Sequence, residues 1–317
     1  MRRARRGRVP ARSGLGCIVI RVLLLGTNGM LGSMLAQQLP VGGGLALFAA
    51  VRHDVSPFLS SVRFGGVMSG MDAQDFNPQL RAQFVEFLKV HGINVVVNCV
   101  GVIKQRASGQ DPLVTTAVNA LFPHHLVSIC SGAGVRLIHI STDCVFSGAT
   151  GNYSEDDVPD AVDYYGRTKA LGEVSAPHLT LRTSVIGPEL PQSEGLGLMA
   201  WFLGQKGLVV PGYTKAIFSG VTTLTLATLI RQVVLEQPDL AGLFHVSSGA
   251  IDKYSLLQKI NAVFQRGLII APDDALQIDR SLDASKLLAR LGWQAPSWDE
   301  QLLTLRAWTL TKGLKGA

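Results

Sequence analysis

Tyr165 and Lys169 stand four residues apart in Tyr165-Gly166-Arg167-Thr168-Lys169, and Ser141-Thr142-Asp143 precedes them by some two dozen residues. In a helix, positions i and i+4 share one face. A free phenol loses its proton near pH ~10, and an ammonium fixed one turn away favours the phenolate, so such a pair can make tyrosine an acid or base near neutrality. A hydroxyl from Thr142 would hold a carbonyl oxygen beside them. The chemistry on offer is carbonyl reduction with delivery of a proton. A surface helix can also carry Tyr-x-x-x-Lys by chance, so the weight of the pair depends on the elements that position it.

Those elements read as alternating strands and helices. From Val22 onward, short aliphatic runs alternate with longer amphipathic ones, the pattern of βαβ units on a parallel sheet. Strands are expected at 22–25, 45–51, 95–98, 136–140 and 179–182, and helices at 31–39, 79–90, 113–131 and 164–176. The fold class this implies is α/β, a doubly wound parallel sheet of Rossmann type over 21–187, followed by a smaller substrate-facing lobe over 188–317. The boundary falls at the loop signal Pro191-Gln192-Ser193-Glu194-Gly195-Leu196-Gly197, and later segments, such as the strand at 243–246, are candidates to rejoin the main sheet.

Gly26-Thr27-Asn28-Gly29-Met30-Leu31-Gly32 follows the first strand and opens the first helix. Glycines permit a tight turn and close backbone approach, and a helix amino terminus offers free N–H groups to a pyrophosphate. Gly26, Asn28, Gly29, Met30 and Leu31 are therefore expected against a dinucleotide. The second strand ends Ala49-Ala50-Val51-Arg52, with Asp54 two positions later, and an arginine there suits the 2′-phosphate of NADP(H) better than the free ribose of NAD(H). Cys99, Val100 and Gly101 follow the strand at 95–98. In a doubly wound sheet they pass close to the cofactor. Asn119, in the next helix, reads as a structural polar contact or as support for the site.

Composition narrows the class of protein. The 317 residues are 47% hydrophobic and 16% charged, as in a compact globular chain. The net charge of +6 comes from six arginines within residues 1–20, and the rest carries equal numbers of basic and acidic residues. Residues 1–20 read as a basic leader outside the fold, so neither nucleic acid nor a membrane is expected as a partner. Arg21 interrupts the only early apolar run, which leads straight into the glycine loop rather than to a cleavage site. The four cysteines lack metal-ligand or disulfide-framework spacing, so no metal is expected and a reducing cytoplasm fits.

With these residues assembled, the sequence resembles the extended short-chain dehydrogenase/reductases, and more narrowly the dTDP-4-dehydrorhamnose reductase group. The resemblance rests on the glycine loop, on Ser141 to Gly148, on Tyr153-Ser154-Glu155-Asp156-Asp157-Val158-Pro159 and on Tyr165 to Glu173. It continues through Leu181-Arg182-Thr183-Ser184, Gly242-Leu243-Phe244-His245-Val246 and Arg280-Ser281-Leu282-Asp283-Ala284-Ser285-Lys286-Leu287. It implies Thr142, Tyr165 and Lys169 as the catalytic set, with Lys169 also on the nicotinamide ribose and Gly26, Gly29 and Gly32 at the pyrophosphate. Thr142, Asp143, Cys144 and Tyr165 would meet the substrate.

The reaction implied is hydride delivery to C4 of a nucleotide-linked 4-keto-6-deoxy sugar, in deoxysugar or surface-polysaccharide synthesis. Alternatives on the same fold are an epimerase, an acetamido-sugar reductase and a non-catalytic nucleotide-binding regulatory subunit. A homodimer pairing through the helices that flank the sheet is a further implication. Three departures from the group's pattern fall where the sugar should sit: Cys144 in place of an aromatic residue, Val185 where tryptophan is common, and Val102-Ile103-Lys104-Gln105 after the strand at 95–98.

Overall fold

The computed structural model describes residues 19–189 and 195–313. Most of the arginine-rich leader, and the stretch Pro191 to Glu194 of the expected boundary loop, lie outside the described residues. Strands β1 (Ile20–Leu25), β2 (Leu45–Ala50), β3 (Val67–Met68), β4 (Val95–Asn98), β5 (Arg136–Thr142) and β6 (Leu179–Thr183) join the strand Gly242–Val246 in one seven-stranded sheet. Its order is 242–246, β6, β5, β4, β1, β2, β3, and every pairing is parallel. The order reverses between β1 and β4, which makes the crevice above their carboxyl ends the place where such a sheet receives a ligand.

The strands are apolar on both faces because both faces are covered. Val22, Leu24, Val95, Val97 and Ile138 enter one core, with residues of helices α1 (Met30–Gln38) and α7 (Thr223–Glu236). Leu23, Leu25, Val96 and Leu137 enter the other, against α2 (Pro78–Val90) and α4 (Phe122–Ala133). Asn77 starts α2 by accepting from the Leu80 N–H, with Pro78 in the first turn, and Gly134 ends α4 in the left-handed conformation at φ 66°. The short β3 was not expected from the sequence. Two residues with a single buried side chain carry too little periodicity to announce a strand.

The helix expected at 113–131 is three pieces: α3 (Pro112–Thr115), a π-helical stretch Thr116–Leu121 and α4. The wide turn changes which side chains face inward and buries Val118 and Asn119 together. By length and composition the run Pro112–Ala133 could cross a membrane, at 22 residues and mean hydropathy 1.3. Its Val118, Phe122, Leu126 and Cys130 are packed in the sheet's core.

The segment holding Tyr165 and Lys169 forms α5 (Tyr164–Leu171), shorter than expected because Gly172 caps it. Beyond it come α6 (Leu198–Leu203), α7, α8 (Lys253–Val263), α9 (Ser285–Leu291) and α10 (Trp298–Thr311). These helices accompany a small lobe. Its three-stranded sheet has Ala216–Phe218 in the centre, Ile251–Asp252 antiparallel on one side and Ile278–Asp279 parallel on the other. The Asp279 N–H donates to the Gly148 carbonyl at 2.8 Å, tying this lobe to the loop that follows β5.

Candidate active site

Backbone alone shapes the cofactor side. Gly26 turns at φ +78°, and a Cβ there would sit 2.9 Å from the Cys99 carbonyl carbon and 3.0 Å from Val100 N. A Cβ on Gly32 would collide with the Gly26 carbonyl oxygen. The two glycines thus let the β1–α1 turn lie against both the β4 exit and its own helix. Gly29 begins α1 with no side-chain cap and no acid in the first turn, so the amino-terminal N–H groups stay available to an anion. This cradle fits a pyrophosphate. Leu31 buries its side chain in the core, leaving only its backbone for that role, while Met30 is half-buried at the mouth.

Asn28 proves to be a tether. Its Nδ2 donates to the Asp54 carbonyl at 2.8 Å and its Oδ1 accepts from the Ser56 N–H at 2.9 Å, binding the glycine loop to the loop after β2. Arg52 lies in that second loop, exposed, and among the described residues its one ion pair is with Asp72 at 3.5 Å. Such a surface pair is worth under about 1 kcal/mol, which leaves the guanidinium free to meet a phosphate.

On the neighbouring strands the side chains take over. Asn98 bonds His139 at 3.1 Å and accepts from the Val100 N–H at 3.0 Å, which sets the turn at Cys99, Val100 and Gly101. Asn119, delivered by the π turn, accepts from the Val102 N–H at 2.9 Å, donates to the Val102 carbonyl at 3.0 Å and reaches Thr168 Oγ1 on α5 at 3.5 Å. It therefore clamps the β4 exit to the catalytic helix.

Thr142 ends β5, donating to Asp143 Oδ1 at 3.1 Å and accepting from the Cys144 N–H at 3.2 Å, and it lies close enough to Tyr165 to oppose the upward pull of burial on the phenol. Gly166 makes this approach possible, because a Cβ there would run into the Cys144 carbonyl oxygen.

The electrostatics differ from the expectation drawn from i and i+4. Lys169 Nζ donates to the Ile140 carbonyl at 2.7 Å rather than resting on the phenol. Burial draws Lys169 down to about 8, against the opposing pull of Glu173 and Cys99. Tyr165 is driven up instead of down, by burial first and then by Cys144, with Thr142 opposing. Burial also pushes the Cys99 thiol up to about 12 against Lys169. Asp143 is raised by burial, opposed by hydrogen bonds from Cys144, Thr142 and Ser184 and by the charge of Arg280. Among the described residues no group of three His, Cys, Asp or Glu side chains gathers as a metal site would.

With this geometry on the page, comparison with known proteins decides the family: the RmlD substrate binding domain model matches residues 20–195, more than half the chain. The chain belongs to the RmlD family. Of the relatives, a probable low-salt glycan biosynthesis reductase, Agl14, of Haloferax volcanii is 29% identical over 302 residues, covering 89% of this chain and 96% of that protein. The Bacillus anthracis dTDP-4-dehydrorhamnose reductase, solved with NADP, superimposes with TM-score 0.74 at 20% identity, over 92% of this chain and 99% of that one. The Bordetella bronchiseptica enzyme WbmG, solved with NAD, gives TM-score 0.73 at 20% identity over 96% and 97%. At that identity the two structures speak to the fold alone.

Behind Thr142 and Tyr165 this RmlD family member carries a buried ionic network that sequence reasoning did not find. Arg182 makes a bidentate pair with Glu173, Nε to Oε1 at 2.8 Å and Nη2 to Oε2 at 2.6 Å, and Ser141 Oγ donates to the same carboxylate at 2.6 Å. The guanidinium lies 4.9 Å from the Phe146 ring centroid, and Phe146 stacks on Tyr153 at 4.1 Å.

Arg182 Nη1 sits 2.9 Å from His245 Nε2, so that nitrogen accepts, and Nδ1–H faces the Tyr153 and Asp283 carbonyls at 3.1 and 3.2 Å. Burial, then Arg182, holds His245 down to about 4, consistent with the neutral ring. The network joins the turn after α5, β5, β6 and the strand 242–246. The available signal was Glu173 one turn beyond Lys169, but nothing local pairs it with Arg182.

Proposed function

We propose that this chain uses NADPH to reduce the C4 ketone of a nucleotide-linked 4-keto-6-deoxyhexose. The observation that carries the reading is the placement of Thr142 at the carboxyl end of β5 with Tyr165 and Lys169 on α5 beside it, Lys169 Nζ donating to the Ile140 carbonyl at 2.7 Å, on the edge where the glycine cradle opens. A reduced nicotinamide bound by that cradle supplies the hydride. Thr142 holds the ketone oxygen, and Tyr165 gives its phenolic proton to the same oxygen as it becomes an alcohol. Burial keeps Tyr165 protonated through neutral pH, so the group begins as the acid that a reduction requires. Lys169, fixed to the Ile140 carbonyl, presents the rest of its ammonium toward the cofactor side, where its charge acts on Cys99.

Arg52 supports the choice of NADPH, since its only ion pair among the described residues is a weak one with Asp72. The test is NADPH absorbance with a panel of substrates that varies nucleotide and sugar independently. Stoichiometric loss of NADPH with a 4-keto-6-deoxy compound is expected. Turnover that returns the hydride and leaves NADPH unchanged would make the chain an epimerase, and no turnover with any member of the panel would overturn the reading.

A further inference from the structure

Two side chains one helical turn apart reach consecutive residues of β5. Lys169 Nζ donates to the Ile140 carbonyl at 2.7 Å, and Glu173, in the turn after α5, accepts from Ser141 Oγ at 2.6 Å. The next residue along the strand is Thr142. One carboxylate is thus tied to the strand between the carbonyl that holds the lysine and the hydroxyl assigned to the ketone. Its own freedom is small. Arg182, which faces Ser141 in the β5–β6 register, grips both carboxylate oxygens at 2.8 and 2.6 Å, and the Glu173 side chain is only 13% exposed.

A buried ion pair is a poor source of stability, because well-packed apolar side chains of the same size do as well. Its placement has more to offer Lys169. The titratable groups around that ammonium are Glu173 beyond the end of α5, Cys99 after β4, His139 on β5 and Tyr165 one turn back on α5. Burial pushes the Cys99 thiol up to about 12, drives Tyr165 upward and holds His139 well below its ordinary value, so all three are uncharged near neutrality. Asp143 and Cys144, in the turn after β5, act on the phenol instead. Against the burial that strips Lys169 of its proton, the opposing negative charge is therefore that of Glu173.

We propose that Glu173 is a positioning residue for the reduction: through Ser141 it fixes the end of β5 that carries Thr142, and it sets the negative charge that faces the Lys169 ammonium. The roles of Thr142 and Lys169 come from the reductase reading, on which this proposal rests.

The first measurement needs no substrate. It is urea unfolding of the full chain as a function of pH. Folded, Lys169 gives up its proton at about 8, and unfolded at the ordinary 10.5, so stability rises between those values. Glu173→Gln keeps the size of the side chain and an acceptor for Ser141 but removes the charge, and the rise is expected to begin about one pH unit lower. A rise that still begins at about 8 overturns the proposal. Ser141→Ala leaves the ion pair intact and serves if Glu173→Gln does not fold. Its kcat for NADPH oxidation is expected to fall about ten-fold with both KM values within two-fold, and Ser141→Thr to recover kcat to within a few-fold. An unchanged kcat in Ser141→Ala overturns the positioning role. If the natural chain turns over no nucleotide sugar, the reductase reading falls, and the unfolding comparison still decides for or against Glu173.

Discussion

The cofactor side and the substrate side of the cleft are built from different materials. On the cofactor side Gly26, Gly29 and Gly32 shape a cradle in which the backbone does the recognition and an added methyl group is the main hazard. On the facing side, Arg280 arrives from a distant segment and meets Cys144 through its side chain. A surface made of backbone resists redesign. One made of side chains hung on a fixed frame can change its ligand without changing the fold, and one of the three departures from the family's usual residues, Cys144, lies there.

The sharpest way to divide the two sides is to remove the proton donor between them. Tyr165→Phe is expected to lower kcat by about 10²–10⁴-fold while cofactor affinity, followed by fluorescence titration, stays within two-fold. A variant that keeps most of its kcat removes Tyr165 from the acid role.

Next in size is the frame shared by both sides. Arg182→Met leaves Glu173 largely buried without its partner and should cost about 3–5 kcal/mol in urea unfolding, where an exposed pair such as Lys215–Asp274 should cost under about 1 kcal/mol. Equal losses for the two would deny the network its structural role.

Within the cofactor side, Gly32→Ala is expected to destabilise by about 1–3 kcal/mol and to weaken dinucleotide binding, because its methyl meets the Gly26 carbonyl. Gly132→Ala in α4 meets nothing within 4 Å and should be neutral or stabilising by up to about 1 kcal/mol. If both variants bind alike, the cradle is not where the dinucleotide rests.

Lys169 gives a pH signature of comparable size. Unfolded, its ammonium keeps its proton to the ordinary 10.5, whereas in the native protein it gives it up at about 8. Between those values the unfolded chain binds more protons, so this group makes stability rise with pH from about 8 to 10.5, by up to about 3 kcal/mol. The rise should be missing from the pH profile of Lys169→Met. Smallest is cofactor choice: Arg52→Asp should shift the NADPH to NADH preference by about ten-fold, measured as a ratio of dissociation constants, and an unchanged ratio would place the 2′-phosphate elsewhere.

What could be read in the sequence was what local pattern encodes. Runs such as Val95-Val96-Val97 announce strands buried on both faces, and the glycine loop announces a turn that no other residue can make. Helix α5 was expected to run to residue 176 and stops at Leu171, because Gly172 is needed where a Cβ would strike the Asn119 carbonyl.

The Tyr165–Lys169 spacing was visible, but not that Lys169 Nζ would turn to the Ile140 carbonyl and leave burial to set the phenol. Arg182 and Glu173 are only nine positions apart, but they meet because the chain folds back between α5 and β6, and Arg280 reaches Cys144 from 136 positions away; neither contact leaves a periodic trace.

The network behind the site also imposes an order in time. His245 and the Asp283 carbonyl, which complete the surroundings of Arg182, are among the later residues to emerge during synthesis, as is Arg280 beside Cys144. A nascent chain that has emerged only to residue 240 already holds Thr142, Tyr165 and Lys169, yet β6 has a bare outer edge and Arg182 lacks its histidine. The surroundings of Arg182, which brace β5 and β6, are therefore completed only after residue 283 has emerged, long after the segments they hold in place.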